Sequence, residues 1–280
     1  MLKALKFANW SMLIISVMLL AVSLYGLTQS LRPAQFDEED LRFGAQDIQL
    51  SLEEYREAIK RKENESPLAY SERLAKVIAQ GTAHIHWTTF EPEEFNQLVP
   101  IWENWILFFM GKFSGIPEYE RYHFADPHRS IERGIGICGE VSMVMEQLLE
   151  REGIPAEIIS FKGHVIVAAQ PEDKQLLFDP DFGVTLPFSL EELAPNIDAA
   201  NAIYLNAGYT QKDAEFFANS YTGRYTVWDG AHHFITKKFY FERFAYVAKW
   251  VLPLLGIVVF LMVQRLVRSK SKGYVENHSG

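Results

Sequence analysis

The sequence predicts an α+β protein flanked by two transmembrane helices, its core a cysteine-bearing helix packed on an antiparallel sheet. Three observations carry this reading. Long apolar runs stand near each end of the chain, one internal stretch repeats apolar residues at helical spacing, and three short β-rich stretches follow it directly.

The apolar runs come first. Phe7 to Leu31 is 25 residues without a charge, and about 20 apolar residues are enough to cross the hydrocarbon core. The run from Phe244 to Val263 contains one charge, Lys249, near its end, from where an ammonium can snorkel to the interface. Trp10 and Trp250 stand where aromatic belts form. No small-x-small cleavage site follows the first run, which therefore reads as an uncleaved anchor. Lys3 and Lys6 precede the first run, and Arg265, Arg268, Lys270 and Lys272 follow the second. The positive-inside rule then places both termini in the cytoplasm and the body outside. The expected division is a tail and span over 1–32, an extracytoplasmic domain over 33–243, a second span over 244–264 and a basic cytoplasmic tail over 265–280.

Eight of the 27 basic residues and one of the 36 acidic ones lie in those end segments, which leaves residues 33–248 at a net −16. Nucleic-acid affinity comes largely from cations neutralising phosphates, so a body this acidic excludes it. A single cysteine, Cys138, excludes an intramolecular disulfide and any multi-cysteine metal centre.

Within the body, helices are expected over 38–62, 66–81 and 91–113, with a loop from Gly115 to Pro127. The aromatic stripe Trp102, Trp105, Ile106, Phe108 and Phe109 reads as core or as packing near the membrane. After Gly136-Ile-Cys138-Gly139, apolar residues fall at Val141, Val144, Met145, Leu148 and Leu149, one buried helical stripe that Gly153 and Pro155 end. Ala156 to Phe161, His164 to Ala169 and Gln175 to Asp179 read as strands, with turns at 170–173 and 180–183. Residues 189–219 read as helices.

Three residues then make chemical sense together. Cys138 opens its helix, where unpaired N–H groups and the helix dipole favour a thiolate. A four-residue loop at 170–173 would put His164 directly opposite Asp179, and a carboxylate so placed holds an imidazole while its other nitrogen faces a nucleophile. Gly136-Ile-Cys138-Gly139-Glu140, Glu152 to Ala156, Gly163-His164-Val165 and Phe178-Asp179-Pro180, in this order and spacing, resemble the transglutaminase-like superfamily over roughly 130–187. The resemblance implies a papain-like α+β core with Cys138 as nucleophile, His164 as general base and acid, and Asp179 as the residue that orients it. Where many members read His-x-Trp, this chain has His164-Val165-Ile166.

The resemblance further implies a membrane-anchored bacterial protein acting in the cell envelope. It would transfer acyl groups from amide or peptide bonds through a thioester, as a peptidase, an amidase or a cross-linking enzyme. The lipid bilayer, a peptide or amide substrate and envelope-assembly partners are the expected contacts, with no cofactor and no metal. The competing reading is a catalytically silent scaffold or binding module of the same fold, in envelope or polysaccharide assembly. Other constellations carry less. His84-Ile-His86 and His232-His233 lack an assigned carboxylate partner. Asp181 reads as a turn cap pointing elsewhere than Asp179, although the resemblance also implies calcium binding there as an alternative, and Glu140 reads as a first-turn carboxylate complementing the dipole.

Overall fold

The computed structural model describes residues 2–34, 36–43 and 47–276. Residues 277–280 of the expected basic tail lie outside them. In chain order the elements are helices α1 (Leu2–Gly26), α2 (Leu52–Ala58), α3 (Pro67–Gly81), α4 (Trp105–Phe113), α5 (Pro117–Glu120), α6 (Pro127–Arg133) and α7 (Cys138–Arg151). Strands β1 (Ala156–Phe161), β2 (His164–Ala169), β3 (Leu176–Asp179) and β4 (Val184–Leu186) follow. Then come α8 (Leu190–Leu193), α9 (Ile197–Asn206), α10 (Gln211–Tyr221), β5 (Tyr225–Trp228), α11 (Ala231–Phe234) and α12 (Thr236–Glu276).

The chain divides into two compact units. One comprises 1–30, 98–122 and 241–280, and the other 31–97 and 123–240. Residues 98–122, expected in the extracytoplasmic body, therefore group with the apolar ends.

In the first unit, α1 and α12 contain stretches, Leu5–Gly26 and Thr236–Val267, long and apolar enough to cross a membrane. The helices meet through small and polar residues. A Cβ on Gly256 would stand 2.1 Å from Ser16 Oγ, the close approach that small residues allow between apolar helices. Asn9 Nδ2 donates to the Phe260 carbonyl at 3.5 Å, and the Trp10 and Phe260 rings pack edge to face at 5.0 Å. Lys249 does not snorkel as expected. It is 7% exposed; its Nζ donates to the Glu103 carbonyl at 2.6 Å and faces the rings of Tyr246 and Trp250.

The second unit is built on an antiparallel sheet in the order β4-β3-β2-β1-β5. Strand alternation sends Val167, Ala169 and Phe178 to one face, where they pack against Leu74 and Ile78 of α3 and the Val144 and Leu149 stripe of α7. Ile166, Ala168 and Leu177 go to the other, against Leu193, Tyr204, Phe217 and Tyr221 of α8 to α10. Both faces of β2 are thus covered.

The structure departs from the expected elements where turn chemistry intervenes. Of the helix expected over 38–62, the described residues form only a 3-10 turn at Glu38–Asp40 and the short α2, residues 44–46 lying outside them. Ser51 accepts from the Glu54 amide while the Glu54 side chain accepts from the Ser51 amide, a capping box that starts α2 afresh. The helix expected from 91 begins only at Trp105, because Asn104 caps the Ile106 and Leu107 amides. Helix α5 forms inside the expected loop, with Pro117 at its first turn. Strand β3 starts at Leu176, since Gln175 turns its side chain to accept from the Leu190 amide. Strands β4 and β5 were not expected: the first alternates but is only three residues long, and the second is largely exposed and carries no alternation.

Candidate active site

Ile137 is extended and Cys138 is the first residue of α7, so its amide belongs to the first turn, where N–H groups have no intrahelical acceptor. One turn further on, Ser142 Oγ donates to the Val165 carbonyl at 3.1 Å. Cys138 and Ser142 share a helix face, so this bond fixes the thiol beside the start of β2, where His164 stands. Cys138 is half-buried. Its Sγ, a His164 ring nitrogen and an Asp181 carboxylate oxygen all lie within 4.8 Å of one another.

His164 is placed by a tight turn. Phe161 pairs with His164 across β1 and β2, leaving Lys162 and Gly163 as the connection, and Gly163 takes φ +90°, a conformation that favours glycine. The next hairpin corrects the expected register. Ala169 pairs with Leu176 and Val167 with Phe178, so the connection is 170–175, and His164 is not directly opposite Asp179. The slip is by two positions, however, and side chains alternate with period two, so both residues keep the same face. They meet diagonally: His164 Nε2 lies 2.7 Å from Asp179 Oδ2. That leaves Nδ1 as the nitrogen available to the thiol.

Asp179 is fully buried and both its oxygens accept. Oδ1 takes the Asp181 amide at 3.1 Å, and Oδ2 takes the Tyr204 hydroxyl at 2.6 Å as well as His164. Tyr204 has one proton, which it gives to Asp179, so the 2.6 Å contact between Tyr204 and Tyr221 hydroxyls uses the Tyr221 proton. Burial and the Asp179 carboxylate push both phenols well above their ordinary range, which keeps them donors. Neither Tyr204 nor Tyr221 was assigned to the site from the sequence. The available signal was a tyrosine on the apolar face of α9, since a buried phenol needs a polar partner.

Asp181 does not point away. Carried past the end of β3, the observed register puts position 181 level with His164, on the same face. Asp181 is 2% exposed, with Arg42 at 3.8 Å from Oδ2 and His84 Nε2 at 3.3 Å from Oδ1. The latter is at ion-pair distance but off the line of a hydrogen bond. His84 in turn holds Asp47 by Nδ1 at 2.5 Å, and the Asp47 carboxylate also accepts the His84 amide at 3.0 Å. His84 thus has the carboxylate partners that its sequence neighbourhood did not reveal.

Charge follows geometry here. Burial disfavours the charged form of His164, but the Asp179 carboxylate and Cys138 outweigh it and hold the imidazole well above its ordinary range. Burial opposes charge on His84 too, and Asp181 and Asp47 overcome it, raising the group to about 9. For Asp181, burial is outweighed by His84, His164 and Arg42, which hold the carboxyl below its usual value.

Glu140 does more than complement the dipole. It is 1% exposed and accepts two bonds from Arg133 at 2.7 and 2.8 Å, with Ser130 Oγ at 2.8 Å and His123 Nδ1 at 3.0 Å. Two residues after the thiol, it ties α7 to the 123–133 segment. Asp126 caps α6 through the His128 amide, and His232 and His233 are exposed. A cavity of about 950 Å³ borders His84 and Phe182 and is lined also by Arg42, Lys76, Tyr209 and Lys212; Cys138 and His164 are not among its lining residues. Comparison of the chain with family models, with curated proteins and with solved structures finds no match in any of the three.

Proposed function

We propose that the protein is a membrane-anchored, cysteine-dependent acyl-transfer enzyme of the transglutaminase-like type, acting on amide or peptide bonds. The observation that carries this reading is the Cys138–His164–Asp179 arrangement: a half-buried thiol at a helix N-terminus, beside an imidazole whose far nitrogen is held by a buried carboxylate.

Each group has a task. With the proton of the Cys138–His164 pair already held on His164 Nδ1, Sγ attacks the carbonyl carbon as a thiolate. The oxyanion that forms is within the field of the α7 N-terminus, where the Cys138 amide is a donor. Collapse breaks the C–N bond, and His164 returns its proton to the departing amine, leaving a thioester on Sγ. Water then attacks the thioester, giving its proton to His164, and the acid leaves with the thiol restored; an amine attacking instead yields a new amide. Hydrolysis needs no second, amine-binding cleft, and we favour it. Asp179 keeps the imidazole's ring orientation and tautomer through both halves.

The setting follows from the two apolar helices and the charges beside them. With Lys3 and Lys6 before the apolar run that begins at Phe7, and Arg265, Arg268, Lys270 and Lys272 after the run that ends at Val263, both termini are cytoplasmic and residues 33–243 face the envelope, where peptide or amide substrates and assembly partners are found.

The test is a thiol-directed activity probe on the detergent-solubilised full chain. Labelling of Cys138 that falls at least tenfold in His164→Ala supports an enzyme. Labelling at the rate of an unperturbed thiol, unchanged in His164→Ala, replaces it with the silent scaffold. Reporter fusions placing the two termini on opposite faces would overturn the topology.

A further inference from the structure

The thiol side of the site holds groups that acyl transfer does not use. Asp181 is 2% exposed and its Oδ1 has no hydrogen-bond partner among the described residues. His84 Nε2, 3.3 Å away and 1% exposed with its residue, has none either. Buried polar atoms are ordinarily satisfied, and those that are not call for an explanation such as an ion. These two lie beside a convergence of donors: Cys138 Sγ, a His164 ring nitrogen and an Asp181 oxygen, all within 4.8 Å of one another. Metal–ligand lengths of about 2.0–2.3 Å put the donors of a tetrahedral zinc site roughly 3.3–3.8 Å apart, so this set stands within about 1.5 Å of the spacing an ion needs. The outer supports of a metal centre are present as well. Asp179 holds the second nitrogen of His164 and Asp47 that of His84, the carboxylate–histidine arrangement that fixes an imidazole's free nitrogen for a metal.

We propose that Cys138, His164 and Asp181 form a binding site for a thiophilic divalent cation of the zinc class, with His84 Nε2 adjacent for the fourth position, and that the bound cation silences the thiol. Thiolate, imidazole and carboxylate together select zinc over magnesium or calcium. On binding, the proton that Cys138 and His164 Nδ1 hold between them is released to solvent, as is the proton on His84 Nε2 when that nitrogen takes the fourth position; sulfur and the His164 Nδ1 lone pair are then committed to the metal. The silencing rests on the acyl-transfer reading; the binding does not.

Co²⁺ added to the full chain in detergent tests the binding, because cobalt–thiolate coordination gives a charge-transfer absorption band. The expected result is one equivalent of Co²⁺ with that band, displaced by Zn²⁺. The band is absent in Cys138→Ser, and Asp181→Asn weakens affinity at least tenfold. A missing band in the wild type, or unchanged affinity in a folded Asp181→Asn, overturns the site. Should that variant fail to fold, protection of wild-type Cys138 against iodoacetamide by Zn²⁺, reversed by a chelator, decides in its place: no protection overturns the proposal. Reactivity of metal-free protein separates the two readings. His164-dependent labelling without a cobalt band leaves the enzyme and removes the metal site, while a cobalt band without His164-dependent labelling does the reverse.

Discussion

Tyr204 and His164 share one oxygen of Asp179: the phenol donates at 2.6 Å and the imidazole at 2.7 Å, while an amide occupies the other oxygen. Every lone pair that Asp179 turns inward faces a donor, so an amide nitrogen at either position would meet another N–H or O–H. Asp179→Asn should therefore slow His164-dependent labelling of Cys138 by about 10²–10⁴-fold, because the imidazole loses its tautomer, with a stability loss on the order of 1–3 kcal/mol. Probe kinetics beside thermal unfolding would check this; equal losses in both would make Asp179 a purely structural residue.

Removing the Tyr204 hydroxyl keeps the ring that stacks on Phe217 at 4.2 Å. Tyr204→Phe is expected to cost about 1 kcal/mol of stability and to slow labelling less than Asp179→Asn does, since His164 still holds Asp179. A labelling loss as great as that of Asp179→Asn would show that Tyr204, not Asp179, governs the imidazole.

Arg133 is fully buried and pairs with Glu140. Removing one member leaves the other charged in a dry site, so Arg133→Met should destabilise by about 3–5 kcal/mol, whereas Arg133→Met with Glu140→Met should cost clearly less than the sum of the single changes. Denaturant unfolding of the four proteins measures the difference. Strict additivity would deny the coupling.

Burial pushes the Glu146 carboxyl up to about 7, with Glu150 and Asp229 adding to it and the Ala231 amide opposing. A folded value above the unfolded 4.5 makes the stabilisation complete below about 4.5 and lost as pH rises through about 7, in total on the order of 3 kcal/mol. Glu146→Gln, which can still accept from Ala231, should remove this slope and gain on the wild type at pH 8 but not at pH 4. Unfolding midpoints across pH 4–8 would show it, and parallel curves would refute it.

Gly256 stands where a Cβ meets Ser16. Rotation of the serine hydroxyl would relieve an alanine but not a leucine, so Gly256→Leu should part the helices at a cost of about 1–3 kcal/mol. Cysteines placed as Asn9→Cys and Phe260→Cys in a Cys138→Ser background should cross-link, retain cross-linking with Gly256→Ala and lose it with Gly256→Leu.

The helix at 138–151 and the strands at 156–161 and 164–169 were legible because their signals are local: an apolar stripe, Gly153 at φ +72° and β-branched runs. The shared face of His164 and Asp179 survived a wrong loop length because parity, not exact register, decides it. What escaped came from distance. Tyr204 reaches Asp179 from 25 positions on, and Asp47 reaches His84 from 37 back, with no pattern in the intervening sequence to announce either. Strand β5 was lost for another reason: its residues are mostly exposed, so burial wrote no alternation into them.

The contact between Asn9 and Phe260 spans 251 positions, which gives it a meaning in time. Helix α1 leaves the ribosome long before its partner α12. At translation rates of about 5–20 residues per second, α1 waits on the order of tens of seconds before α12 exists. Through that interval its Asn9 and Ser16 have neither Phe260 nor Gly256 against them. A chain interrupted before α12 would carry that polar face permanently, and would be marked by it for quality control.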